Sequence, residues 1–371
     1  MIVGHRLLAL IVKEFLALFR DKKSRIAVIA PPILQLLIFS YAATFDLEHA
    51  ALAVYNEDSG SFSRDLISRF ERSPAFEVVA HLRSEAEIKP LVDRKDALLV
   101  LHVGRQCSAN VAQGDGCPVQ VVIDGRNSNT AMLALNYVRS IMTDFNEEYI
   151  EQTTGIRLPA RLAIQAWFNP NLESGWFIIP GIVALLAMVV TLVVTALSVA
   201  REREAGTFDQ LLVTPLRPWE IVIGKAMPGL IIGVGEASCI MAVAVFWFRV
   251  PLAGSLVTLY PALIIYVLAT IGVGLMISSF SHTLQQALLG SFLFIVPAVT
   301  LSGFSTPIAN MPDCMQALTY LNPMRYFLII VRRVFLEGAG VEYFWHELWP
   351  MSLIAVATLA LATWLFRYRM Y

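Results

Sequence analysis

The chain has 371 residues, 57% of them hydrophobic and 15% charged, with a mean hydropathy of +0.63, against roughly 45–50% apolar and about 25% charged in an ordinary soluble domain. So much apolar surface does not fit one soluble core, and runs able to cross a hydrocarbon layer of about 30 Å, at about 20 residues each, are expected. A formal charge of −1 and a pI near 6.6 exclude the basic face of a nucleic-acid binder, and four cysteines without a C-x-x-C pair make neither a disulfide scaffold nor a zinc module.

Residues 1–25 carry Arg6, Lys13, Arg20, Lys22, Lys23 and Arg25 against Glu14 and Asp21, a bias that holds the amino terminus in the cytoplasm. Within them Leu7, Leu8, Ile11, Phe15, Leu18 and Phe19 fall near one helical face, which predicts an amphipathic helix lying in the inner interface. The uncharged run 26–45 follows as the first span. A cleaved signal peptide is the rival reading, since Ser40-Tyr41-Ala42 offers a small-x-small site, but the preceding segment is long for an n-region and the run exceeds a usual h-region.

From 46 to 173 the composition turns ordinary, with 12 basic and 18 acidic residues and no run that could span. This predicts a folded α/β or α+β insertion on the periplasmic side. Its expected strands are 52–55, 76–80, 97–103 and 119–124, and its expected helices 61–72, 85–94 and 130–152. Cys107 and Cys117 flank Gly114-Asp115-Gly116 there; an oxidising compartment permits a bridge between them, and spacing alone leaves it open.

Apolar character returns after Gly175, with a second span over 176–200. The short charged segment 201–225 belongs in the cytoplasm by its basic residues, and a third span, 226–248, runs outward. No Asp, Glu, Lys or Arg occurs from 250 to 312, a stretch too long for one helix, and the polar group Ser281-His282-Thr283 with Gln285-Gln286 divides it into spans 259–280 and 286–304. Residues 305–347, rich in Pro, Gly and Arg, predict short helices of an external re-entrant segment, where Arg325, Arg332 and Arg333 strain the positive-inside rule. A last span over 348–366 ends at Arg367 and Arg369. The expectation is a membrane α-helical protein of six spans, residues 174–371 holding five of them, with both termini inside.

Two features of this frame are chemical. Glu236 lies near the middle of the third span, where an ionised carboxylate costs at least about 2.5 kcal/mol. It is read either as a cation contact on a substrate path or as a hydrogen-bonded group at a helix interface. Gly229, Gly233 and Gly235 on that span, and Gly272 and Gly274 on the fourth, predict close helix packing. The phosphate-binding pattern G-x-x-x-x-G-K-[ST] is absent, since Gly224-Lys225 lacks its upstream glycine and its hydroxyl residue. No nucleophile-elbow or paired-histidine metal pattern appears either, so an enzyme is unsupported.

The most specific stretch is Arg201-Glu202-Arg203-Glu204-Ala205-Gly206-Thr207-Phe208-Asp209-Gln210-Leu211-Leu212-Val213-Thr214-Pro215. By physics alone it is either a charged surface loop or a short helix whose Phe208, Leu211 and Leu212 dock in a partner's groove. It resembles the E-x-G-T-x-x-x-L-x-x-x-P segment of ABC-2 type permeases, the membrane subunits of ABC exporters. The resemblance extends to the whole layout, to Asn322-Pro323-Met324-Arg325-Tyr326 and to Arg332-Arg333-Val334-Phe335-Leu336-Glu337-Gly338. Inside the insertion, Val54-Tyr55-Asn56-Glu57-Asp58 and Val121-Val122-Ile123-Asp124-Gly125 are similar to the family pattern, although Asn56 stands where an Asp is usual.

The resemblance implies a bacterial inner-membrane permease of a drug-efflux-like exporter moving an amphiphilic or hydrophobic substrate. It further implies no cofactor on this chain, ATP and Mg on a separate ATPase subunit, and a second permease copy, identical or a sister chain. A periplasmic adaptor and membrane lipids complete the implied partners. The ATPase-coupling residues it implies are Arg201, Glu202, Arg203, Glu204, Gly206, Thr207, Phe208, Leu211, Leu212 and Pro215, with Glu202 and Glu204 facing basic groups of the ATPase. The competing readings are a membrane sensor or assembly protein whose external domain binds a ligand or adaptor, and an ion-coupled secondary transporter, which would favour internal repeats and several intramembrane ionisable groups.

Overall fold

The computed structural model describes residues 2–20, 33–35, 38, 49–155, 167–170, 173–208 and 217–369. The first expected span, 26–45, lies outside the described residues except for 33–35 and 38, which are helical. Two compact units divide the chain, Phe45–Gln165 and the remainder, Met1–Thr44 with Ala166–Tyr371.

The smaller unit is built on four strands, β1 (Ala50–Asn56), β2 (Phe76–Leu82), β3 (Leu99–Val103) and β4 (Val119–Ile123), in the order β2-β1-β3-β4. β1 runs parallel to β2 and β3, and β4 is antiparallel to β3. A parallel strand covered on both faces reads as a continuous apolar run, and β1 does so. Leu52 and Val54 pack with α1 of this unit, Ser61–Arg72, and its long helix, Ser128–Thr154, through Leu66, Phe70, Ala134 and Val138. Ala53 and Tyr55 face the other way, toward Leu91 and Val92 of the helix Ile88–Asp93. The expected helix 85–94 is split, with a 3-10 turn at Glu85–Glu87 capped by the Ser84 hydroxyl before Ile88–Asp93. A further short helix, Cys107–Ala112, was not expected from the sequence.

In the larger unit the helices are denoted H1 (Ile2–Arg20), H2 (Ser174–Glu204), H3 (Pro218–Phe246), H4 (Leu256–Phe280), H5 (Leu284–Thr300), H6 (Pro323–Arg332) and H7 (Val341–Arg369). Among the described residues four of them, H2, H3, H4 and H7, are long and apolar enough to cross a membrane, and H5 is a shorter apolar helix of 17 residues. H2 is buried along most of its length. H3 begins at Pro218, eight residues before the expected span, because Pro218 stands at a first-turn position and the Glu220 carboxylate accepts the Arg217 N–H at 2.7 Å. The interval between H2 and H3 is therefore shorter than the expected 201–225.

Small residues set the helix contacts, as lipid-embedded packing requires. A Cβ on Gly229 would lie 2.6 Å from Thr195 Cγ2, and one on Gly272 would lie 2.6 Å from Thr358 Cβ. Gly233 abuts the Thr191 hydroxyl and Gly274 the Thr195 side chain. Gly235 differs, since its Cβ position meets nothing within 4 Å. Interhelical hydrogen bonds add to this packing, from Tyr266 to the Ala184 carbonyl at 2.9 Å and from Ser278 to the Ala196 carbonyl at 2.6 Å.

Segment 305–347 is a run of short helices. A 3-10 turn (Ile308–Asn310), the helix Asp313–Thr319, H6 and a π-helical turn (Arg333–Glu337) precede H7. H6 is capped by Asn322, whose carbonyl accepts the Met324 N–H at 3.1 Å while its amide donates to the Ala298 carbonyl at 2.6 Å. The three arginines are accommodated separately. Arg325 bonds Thr319 and lies over Tyr320, Arg332 stacks 3.6 Å from the Phe177 ring centre, and Arg333 reaches Glu347 at 3.2 Å.

Candidate functional site

The end of H2 holds the segment singled out in the sequence. Gly206 adopts φ +67°, the left-handed conformation that ends a helix. Its N–H bonds the Arg203 carbonyl at 3.0 Å, and the Thr207 N–H bonds the Glu202 carbonyl at 2.9 Å. These two bonds form a Schellman motif, so Glu-Ala-Gly-Thr terminates the helix by backbone geometry. Glu204, Gly206 and Thr207 are exposed at this end, and Arg201 is half-buried. Leu211, Leu212 and Pro215 lie outside the described residues.

The charges before Gly206 point to partners within the chain. Glu202 is buried and pairs with Lys225 of H3 at 2.7 Å and with Lys13 of H1. Lys225, whose side chain is 0% exposed, also pairs with Glu14 of H1 at 3.1 Å and reaches Ser198 at 3.4 Å. The Ser198 hydroxyl donates to the other Glu14 oxygen at 3.1 Å. Two lysines and two glutamates from three helices thus form a neutral cluster, Glu14, Glu202 and Lys225 buried and Lys13 at its solvent edge, the arrangement by which charge tolerates burial. Burial disfavours the charge on Lys13, but the Glu202 carboxylate outweighs it, and its pKa stands above the ordinary lysine value.

Arg203 and Glu204 turn to the other side. The Arg203 guanidinium donates to the Ser279 and Ser281 carbonyls at 2.9 and 3.1 Å, where H4 ends, and lies 4.8 Å from the Phe208 ring centre. Glu204 accepts the Leu284 N–H at 2.8 Å, at the first residue of H5. A cation at a helix C-terminus and an anion at a helix N-terminus each complement the local dipole. Glu202 is therefore engaged and buried inside the chain, a correction to the expectation that it faces an external basic surface, whereas Glu204 stays exposed while it accepts the Leu284 N–H; topology bookkeeping counts charges without showing which of them a neighbouring helix claims.

Sequence reasoning missed Glu14 and Lys225. Both had been counted as side-setting charges, yet Glu14 lies one turn after Leu10, which packs on Gly224, the residue before Lys225. That spacing also revises the expected face of H1. Leu10 and Glu14 are buried, with Leu7, Ile11 and Phe15 half-buried, whereas Leu8 is exposed together with Val12 and Leu16.

Glu236 is half-buried on H3, and both its carboxylate oxygens are shielded without a hydrogen-bond partner among the described residues. Thr191 Oγ1, against Gly233 one turn earlier on H3, is likewise shielded and unbonded. An apolar cavity of about 510 Å³ opens between H4, H5 and H7, lined by Met276, Phe280, Leu293, Phe294 and Leu361 among others. In the smaller unit Cys107 and Cys117 form a disulfide with a Cα separation of 5.0 Å. No group of three or more His, Cys, Asp or Glu arranged to hold a metal occurs among the described residues.

The family model described as ABC-2 family transporter protein matches residues 22–364. The chain is 40% identical over 365 residues, 98% of both chains, to the probable multidrug ABC transporter permease YbhR of Escherichia coli (strain K12). It is 32% identical over 341 residues, 90% of this chain and 89% of the other, to YbhS, named likewise, from the same organism. The inner membrane transport permease YhhJ of that organism is 25% identical over 369 residues, 96% of this chain and 95% of its own. The chain belongs to the ABC-2 family of transporters, as one of its multi-pass membrane permeases.

Proposed function

We propose that the chain is the permease subunit of an ATP-driven exporter in a bacterial inner membrane, with six spans, cytoplasmic termini and the smaller unit in the periplasm. It moves a drug-like or lipid-like amphiphile outward. ATP and Mg bind a separate ATPase subunit, and the working assembly pairs this permease with a second copy or a sister chain, with a periplasmic adaptor on the far side. The observation that carries this reading is the likeness to YbhR, a probable multidrug permease, over 98% of both chains. The missing phosphate loop agrees with it, because an ATP-driven transporter whose membrane chain lacks that loop takes its energy from an ATPase subunit.

In this reading residues 201–215 are where that energy enters. Phe208, Leu211 and Leu212 supply the apolar contact with the ATPase, Gly206 turns the chain out of H2, and Thr207 and Pro215 bound the docking segment. Arg201 and Glu204 lie at its rim, while Glu202 and Arg203 hold the segment to the helices behind it. Glu236 lies along the substrate path, offering a carboxylate to a cationic group.

The test is co-purification with the ATPase subunit and substrate-stimulated ATP hydrolysis after reconstitution. Truncating a buried interface anchor costs about 2 kcal/mol or more, roughly thirtyfold in affinity. Phe208→Ala, alone and combined with Glu204→Arg, should weaken association by that order while substrate binding survives. Undiminished association and stimulation in the double variant would refute the docking role of this segment.

A further inference from the structure

H1 is far in sequence from the consecutive helices H2 and H3, yet all three contribute charge to one cluster located within one turn of the point where the chain leaves H2. All the Lys225 interactions are internal, to Glu14 at 3.1 Å, Glu202 at 2.7 Å and Ser198 at 3.4 Å. Glu202 stands in both systems, its side chain in the cluster and its carbonyl bonded to the Thr207 N–H of the terminating turn. Any displacement of residues 205–208 therefore acts on the residue that ties the three helices together.

A buried ion network is a poor source of net stability, since well-packed apolar side chains of similar volume do as well or better. What it supplies is register. Apolar ridges allow one helix to slide on another, whereas a desolvated ion pair weakens steeply when its partners separate. The backbones are also close here. A Cβ on Gly224 would lie 2.7 Å from Leu10 Cγ, so H1 and H3 meet with almost nothing between them.

We propose that the Glu14–Lys225–Glu202 cluster is a pin that makes H1, H2 and H3 move as one body when the segment after Glu204 is displaced, so that Glu14 and Lys225 are positioning residues of the transport cycle. The inference rests on residues 201–215 being the segment through which the ATPase acts. It assigns Arg203 and Glu204 a separate task, because they hold the turn between H4 and H5, and the same displacement reaches that turn through weaker, partly exposed contacts.

The experiment uses the complex with its ATPase subunit in proteoliposomes. In the triple variant Glu14→Gln, Glu202→Gln, Lys225→Met both buried carboxylates and the buried lysine are neutralised together, and the charge that remains is that of Lys13, whose side chain is 51% exposed to solvent. This variant should insert as the unaltered chain does, while transport per ATP hydrolysed falls about tenfold, an ordinary coupling energy. A covalent replacement for the pin is available, since the Gly224 Cβ position lies 3.4 Å from Leu10 Cβ, next to the range a disulfide bridges. In chains with Cys239 and Cys314 replaced by Ala, Leu10→Cys with Gly224→Cys should leave transport intact when oxidised, and in the triple variant oxidation should restore the lost transport and reduction abolish it again.

Normal transport per ATP by the reduced triple variant would overturn the proposal. So would arrest of the otherwise unaltered chain by the oxidised bridge, which stands as a test even if the triple variant fails to insert. Failure of the unaltered chain to co-purify with an ATPase subunit would instead remove the underlying reading, and the proposal with it.

Discussion

Lys225→Met removes the central cation of the cluster and leaves Glu14 and Glu202 facing each other with side chains 8% and 9% exposed. Removing one partner of a buried ion network typically costs about 3–5 kcal/mol, because the stranded charge is neither solvated nor paired. Lys13, whose side chain is 51% exposed, still touches both carboxylates, which places the expected cost near the lower bound, about 3 kcal/mol, or roughly a hundredfold in the folding equilibrium. Glu14→Gln, Glu202→Gln and Lys225→Met together remove the same interactions and leave only the charge of the half-exposed Lys13, which water can solvate, and should cost far less. The assay is unfolding of the purified chain in mixed micelles by graded addition of a denaturing detergent, followed by tryptophan fluorescence. A single variant no less stable than the triple one would refute the claim that these charges depend on one another.

Mass spectrometry of unreduced protein should show a peptide linking Cys107 to Cys117, and reduction should cost about 2–3 kcal/mol for a loop of this length; free thiols at both positions would contradict the bridge. Asp124 is held at a pKa of about 2, chiefly by the Arg126 side chain and then by the Arg126 backbone N–H. Because that value is depressed, the stabilisation from Asp124 is fully present above the ordinary 3.8 and is lost as pH falls through about 2; a carboxyl resonance that disappears in Asp124→Asn should titrate there, and a midpoint near 3.8 would contradict the pairing. For the six-span arrangement, single cysteines at Ser84 and Ser128 should react with an impermeant thiol reagent in intact cells and one at Thr214 should not. Labelling of position 214 from outside would refute it.

Periodicity was a good guide wherever burial follows a simple pattern. The helix Ser61–Arg72 matches its expected bounds, and β1 to β4 match theirs to within a few residues, because each alternates or is continuously apolar between clear breaks. The helix ends of the larger unit were less legible. H2 continues to Glu204 and H3 starts at Pro218, since charged residues extend a helix freely once they find partners, whereas span prediction stops at the first charge. The same limit hid the cluster. Glu14 and Lys225 are separated by more than 200 residues, and no local pattern announces that they meet. Gly206 ends H2 in the left-handed conformation that the terminating turn requires, while Gly235 was misread because a glycine's spacing does not say which face of H3 has a neighbour.

The central claim is that this permease is driven by ATP hydrolysed on another protein, and ATP-dependent uptake of a fluorescent amphiphile into inside-out vesicles tests it most directly. Vesicles holding this chain with its ATPase subunit should accumulate the probe on addition of ATP and Mg, and vesicles in which the phosphate-loop lysine of that subunit is replaced should not. Equal accumulation in both, driven by an ion gradient and indifferent to ATP, would contradict the account.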